Sequence, residues 1–153
     1  YIAQSGLRAS NGIELPNHYS LFSTDASEYS MSEGQDELRV PFSWVNSEGF
    51  QVIKTFIFKR NSYKIAVEYQ IKNPSANPLE VSLYEQLQKQ YKDDETSKLM
   101  YTYSGGVVFD DEDKYQKVKY DDFNEFTAKT VDAGWLALIQ HYFVTAWIPS
   151  QTD

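Results

Sequence analysis

From Tyr63 to Lys72 the chain alternates. Tyr63, Ile65, Val67, Tyr69 and Ile71 fall on one side, and Lys64, Glu68, Gln70 and Lys72 on the other. Successive side chains of a β-strand point to opposite faces, so this period of two specifies a strand with one dry and one wet face. The pattern recurs in Glu37–Val45, where Leu38, Val40, Phe42 and Trp44 share a face opposite Glu37, Arg39 and Ser43. Pro41 offers no backbone donor, which puts that strand at an edge or a bulge. Asn46-Ser-Glu-Gly49 reads as a four-residue hairpin loop. Phe50–Lys59 is the returning strand, less cleanly alternating and more buried. Arg60-Asn-Ser62 and Asn73-Pro-Ser-Ala-Asn-Pro78 read as turns. Leu79–Tyr91 alternates again with Leu79, Val81, Leu83 and Leu87 inward. The Glu, Gln, Leu and Lys content of Leu83–Lys92 also suits a helix, but the period-2 face is continuous through it and a strand is expected.

The remaining segments carry weaker signals. Residues 1–18 hold Ser5-Gly6, Asn11-Gly12 and Pro16-Asn17 and read as a long irregular loop after a strand end. Short strands are expected at Tyr19–Phe22, Leu99–Tyr103, Val107–Phe109 and Thr127–Val131. Lys92–Ser97 and Asp110–Asp113 read as solvated turns, and Lys114–Tyr120 as an alternating surface segment. Asp122-Phe-Asn-Glu125 has the spacing of a capping box, which predicts one helical turn. The uncharged run Gly134–Pro149 is bracketed by Trp135 and Trp147. Its sixteen residues, interrupted by Gln140, His141 and Thr145, fall short of the roughly 20 apolar residues that a membrane span needs. It is expected as a core segment buried on both faces, with Trp147 in the core. About nine strands at roughly 8–14-residue spacing make an all-β, antiparallel sandwich or barrel with at most short helical turns. A chain of 153 residues suggests one domain.

Composition narrows the chemistry. A formal charge of −8 argues against a nucleic-acid partner and against adhesion to anionic lipid. No cysteine is present, which removes disulfides, thiolate metal sites and cysteine nucleophiles. No signal peptide or membrane span is visible, and a start at Tyr1 reads as a piece cut from something longer. The two histidines, His18 and His141, lack zinc-binding spacing. His18 reads as an exposed loop residue, and His141 as a buried histidine satisfied by a backbone carbonyl. The clusters Asp93-Asp94-Glu95 and Asp110–Asp113 lack the calcium-loop pattern. Gly105-Gly106 is too short to cradle a phosphate, and no Gly-x-Ser-x-Gly elbow occurs. No metal, no cofactor and no catalytic residue is expected.

Two features retain a functional reading. The aromatic content, 16%, suits a sugar-stacking platform or, more simply, core packing on inward strand faces. Lys114, Lys117 and Lys119 with Tyr115 and Tyr120 make a basic, aromatic ribbon in an acidic chain. Two readings fit it: a protein-docking edge, or an edge strand guarded by lysines against aggregation.

Several segments carry a resemblance. Ala3-Gln-Ser-Gly-Leu7, Glu33-Gly-Gln-Asp-Glu-Leu-Arg-Val-Pro41, Lys54-Thr-Phe-Ile-Phe-Lys-Arg60, Lys114-Tyr-Gln-Lys-Val-Lys-Tyr120 and Gly134–Pro149 follow one another as in the periplasmic domain of YidC, the bacterial inner-membrane insertase. The resemblance covers nearly the whole chain, and none of its pieces is a catalytic motif. It implies a β-supersandwich of the galactose-mutarotase shape, a place on the periplasmic face of the Gram-negative inner membrane, and no catalysis of its own. Insertion in that family resides in membrane helices, which meet nascent inner-membrane proteins, and the periplasmic domain contacts SecDF, which joins YidC to the Sec translocon. Strands of the family domain are expected to be missing at both ends of this chain, leaving an incomplete portion. The alternative function is a carbohydrate-binding or mutarotase-like domain. That chemistry needs a histidine acid and a carboxylate base in one cleft, and only His18 and His141 are on offer.

Overall fold

A computed structural model of the chain describes residues 1–90, 103–126, 130, 133–140 and 142–150. The expected strands Leu99–Tyr103 and Thr127–Val131, the loop Lys92–Ser97 and His141 lie wholly or mostly outside these residues. The strands in order are β1 (Ile2–Ala9), β2 (Glu37–Val45), β3 (Gln51–Lys59), β4 (Ile65–Lys72), β5 (Val81–Gln88), β6 (Gly105–Asp110), β7 (Lys114–Val118), β8 (Gly134–Gln140) and β9 (Phe143–Trp147). The only helical element among the described residues is a 3-10 turn at Tyr120–Asp122. The all-β, antiparallel reading is borne out. The chain divides into two compact units, Ser5–Tyr84 and Tyr1–Gln4 with Glu85–Asp153.

In the Ser5–Tyr84 unit, β2, β3 and β4 form an antiparallel sheet with β3 in the middle. Register explains the alternation: Trp44, Val52 and Ile71 line up across it, as do Val40, Phe56 and Val67. Pro41 sits on β2, an edge strand, as its missing donor requires. The β2–β3 hairpin closes on Asn46, whose Oδ1 accepts the Glu48 and Phe50 amides at 2.9 and 3.0 Å. Gly49 supplies the left-handed backbone there, with φ 85°. Val52, fully buried, joins Leu7 and Leu15 as the core, packed by Trp44, Tyr69, Leu79 and Val81.

On that apolar face the register leaves one cation, Lys54, opposite Phe42 and Tyr69. Its Nζ lies 5.2 Å from the Phe56 ring centroid and 5.4 Å from that of Tyr69, and reaches the Ser5 carbonyl at 3.4 Å. Burial holds its pKa below the ordinary lysine value. The folded chain therefore binds this proton less tightly than the unfolded chain does. The resulting destabilisation is complete below the folded-state pKa and is relieved as pH rises toward the unfolded value of about 10.4. Lys54→Met is expected to stabilise the chain near neutral pH by on the order of 1 kcal/mol, the amine being half exposed and screened. It should also flatten the rise of stability with pH on the alkaline side, as read by urea denaturation between about pH 7 and pH 10.

Three expectations about the first half of the chain are corrected. Residues 2–9 are a strand, not an irregular loop: β1 pairs with β5 and runs straight through Ser5-Gly6. Gly6 is there because the Tyr84 ring crosses it; a Cβ would lie 2.5 Å from the Tyr84 hydroxyl. Tyr19–Phe22 is not a strand; only Ser23 bridges to Ser43. Tyr19 and Leu21 are 81% and 92% exposed, so no sheet face holds that alternation. On β5, Leu83 is exposed rather than inward.

In the other unit, the sheet order is β7-β6-β8-β9, antiparallel throughout. Gly134–Pro149 is not one doubly buried segment. It folds into the β8–β9 hairpin, with Leu136 opposite Trp147 and Gln140 opposite Phe143. β8 supplies buried Ala137 and Leu138, whereas Phe143 and Val144 on β9 are 71% and 67% exposed. Trp147 is half-buried, its indole N–H donating to the Gln86 carbonyl at 3.1 Å. The helical turn begins earlier than the capping-box spacing indicates, after Lys119, with no side-chain cap.

Candidate partner-contact surface

The ribbon singled out by its lysines falls on β7, the outer strand next to β6. Asp110 sets its start. This side chain is buried, and its Oδ1 accepts the amides of Glu112 and Asp113 at 3.0 and 2.7 Å. The acidic turn is thus an Asx-type hairpin closure. Lys114 leaves the turn with a left-handed backbone, φ 60°, and its Nζ lies 3.7 Å from Asp111.

Strand alternation then divides the five candidates. Tyr115 and Lys117 share one face of β7, and Lys114 has the parity of the opposite face. Register sets Tyr115 beside Phe109 and Phe109 beside Trp135. The Phe109 and Trp135 rings are parallel to within 6° at 5.8 Å, and Tyr115 leans on Trp135 at 6.2 Å. Tyr115 is 51% exposed and carries this aromatic row to the sheet edge.

One residue pair along, Lys117 lies opposite Val107. Its Nζ is 4.8 Å above the Tyr103 ring centroid. The Tyr103 hydroxyl sits 2.5 Å from the Gly106 carbonyl and 3.0 Å from that of Val118. Burial, then neighbouring Tyr115, pushes the Tyr103 phenol above its ordinary pKa, so it stays a donor. Gly105-Gly106 is explained here: a Cβ on Gly105 would meet that hydroxyl at 2.6 Å, and one on Gly106 the Phe123 ring at 2.9 Å. Lys119 is exposed beyond the strand end.

Tyr120 belongs to a different cluster. Lys89 Nζ lies 5.2 Å from its ring centroid, 5.6 Å from that of Tyr1 and 3.5 Å from the Tyr120 hydroxyl. Phe123 packs on the same ring at 5.3 Å. Lys114, Tyr115, Lys117 and Lys119 are therefore the accessible ones of the five, while half-buried Tyr120 anchors the 3-10 turn. Sequence reasoning missed Tyr103, Phe109 and Trp135. The parities of Phe109 and Trp135 were readable, but the register that joins them to Tyr115 was not.

His18 is not a free loop residue. It is half-buried, its Nδ1 lies 2.8 Å from the Tyr84 hydroxyl, and its backbone N–H donates to the same oxygen at 3.0 Å.

The whole chain, residues 1–153, matches the family described as the YidC periplasmic domain. It is 41% identical to the membrane protein insertase YidC of Shewanella frigidimarina and 43% identical to that of Shewanella baltica, in each case over all of this chain. A third relative, from Ruthia magnifica, is 42% identical over 96% of the chain. The chain spans 29%, 29% and 26% of these three relatives.

Proposed function

The chain belongs to the YidC periplasmic-domain family, and on that premise we propose that it is a non-catalytic contact module of a membrane protein insertase. It works at the periplasmic face of the inner membrane, where the rest of the insertase inserts nascent inner-membrane proteins, and docks toward SecDF and so toward the Sec translocon. The observation that carries the reading is the family match along the full chain. No helix among the described residues is long and apolar enough to cross a membrane. The docking surface is the outer strand β7. An exposed edge with Tyr115 and Lys117 on one face, and Lys119 just beyond, offers aromatic anchorage and a local positive field in a chain of net charge −8. Such charges steer encounter with an acidic partner more than they add affinity.

Charge reversal tests it. Lys114→Glu, Lys117→Glu and Lys119→Glu together are expected to lower SecDF retention about tenfold or more in a pull-down with the membrane-tethered domain at low salt. The three side chains are exposed, so the melting temperature should hardly move. Unchanged SecDF retention by a folded triple variant would remove β7 as the docking surface.

A further inference from the structure

The Ser5–Tyr84 unit contains an open groove of about 440 Å³ that the docking reading leaves without a role. Its lining is divided by chemistry. Leu7 and Leu15, both buried core residues, and half-buried Ile13 give it an apolar part. Arg8, His18 and Tyr84 give it a polar part. The guanidinium of Arg8 lies 4.9 Å over the Tyr84 ring centroid and forms no ion pair among the described residues. Stacking on a ring pre-orders an arginine while leaving its in-plane N–H donors open.

The groove is also held in shape. The Tyr84 hydroxyl reaches His18 only because β1 has glycine at position 6, where a Cβ would sit 2.5 Å from that oxygen. The hydroxyl accepts the His18 backbone N–H at 3.0 Å and lies 2.8 Å from the ring's Nδ1. With the phenol donating to Nδ1, Nε2 carries the ring hydrogen and gives the groove lining a second donor besides Arg8. Glu14 lines the same groove, and no hydrogen bond joins its carboxylate to His18 or Arg8 among the described residues.

We propose that this groove binds a small organic anion with an apolar tail: a carboxylate on Arg8 and His18, and hydrocarbon over Leu7, Ile13 and Leu15. A sequence of exposed loop residues around a lone histidine did not announce it, because Arg8, His18 and Tyr84 are brought together only by the β1–β5 pairing.

The test is an amide-resolved NMR titration of the chain with hexanoate near neutral pH. Saturable shifts are expected at Leu7, Arg8, Leu15 and His18. Inorganic phosphate, which has charge without a tail, and 1-hexanol, which has a tail without charge, should each bind about tenfold more weakly or worse. Arg8→Gln, an exposed change that leaves the fold in place, should raise the hexanoate Kd about tenfold or more. His18→Gln should weaken binding less, since it leaves the guanidinium in place. Absence of saturable shifts, a Kd unmoved by Arg8→Gln, or groove shifts with galactose but none with hexanoate would overturn the assignment.

Discussion

Val52→Asp is expected to cost about 3–5 kcal/mol, a large share of the roughly 5–15 kcal/mol that holds a domain folded. Val52 has no exposed surface and lies between Trp44 and Ile71 in the sheet, against Leu7 and Leu15. A carboxylate there loses its water. The nearest cation on that face, Lys54, is already turned to the Phe56 and Tyr69 rings and the Ser5 carbonyl. The variant should therefore unfold at far lower urea. Val52→Ala, which leaves a cavity without a charge, should cost less, about 2–3 kcal/mol. A loss under about 1 kcal/mol for Val52→Asp would show that Val52 is not the centre of this core.

The second large effect is at Gly6. Gly6→Val places a Cβ 2.5 Å from the Tyr84 hydroxyl and 2.7 Å from its Cζ. Tyr84 must leave, and with it the two contacts to His18 and the Arg8 stack. A cost of about 3 kcal/mol is expected from overpacking and the lost hydrogen bonds. The clash is with the ring and not only with its oxygen, so Tyr84→Phe should not rescue it. Tyr84→Leu should, in part, and the double variant should be more stable than the sum of the single costs predicts. Gly34→Ala is the contrast. Its backbone is left-handed, φ 78°, but nothing lies within 4 Å, so only strain of about 1 kcal/mol is expected there. Equal losses from Gly6→Val and Gly34→Ala in urea denaturation would contradict the close-approach explanation.

What could be read from the sequence follows from which forces are local. Alternation within one strand is local, so β2 was legible to its last residue and β4 nearly so. Turn chemistry is local too. The loop at Asn46 closes on that residue's own side chain, and the turn at Asn73 does the same, with the Ser75 amide donating to Asn73 Oδ1 at 2.9 Å. β1 was lost because Ser5 and Gly6 look like turn residues, and the reason for glycine is a ring 78 positions away in sequence. The β8–β9 hairpin was lost because Gln140-His-Tyr142 lacks glycine, proline and asparagine, so an uncharged run without turn residues concealed a reversal. The lysine ribbon on β7 was legible as an alternating edge. Its splitting, with Tyr115 joined to Phe109 and Trp135 and Tyr120 drawn off to Lys89, depended on register and on residues distant in the chain. His18 looked like a free loop residue for the same reason: its partner, Tyr84, is 66 positions away.

If β7 is the face this module turns to its partner, photo-crosslinking in the full-length insertase in inner-membrane vesicles will show it. A benzophenone side chain would replace Tyr115 or Lys117 in turn, with Lys64, an exposed residue of the Ser5–Tyr84 unit, as reference. SecDF adducts are expected from both β7 positions and none from position 64. Adducts from position 64 with none from β7 would contradict it.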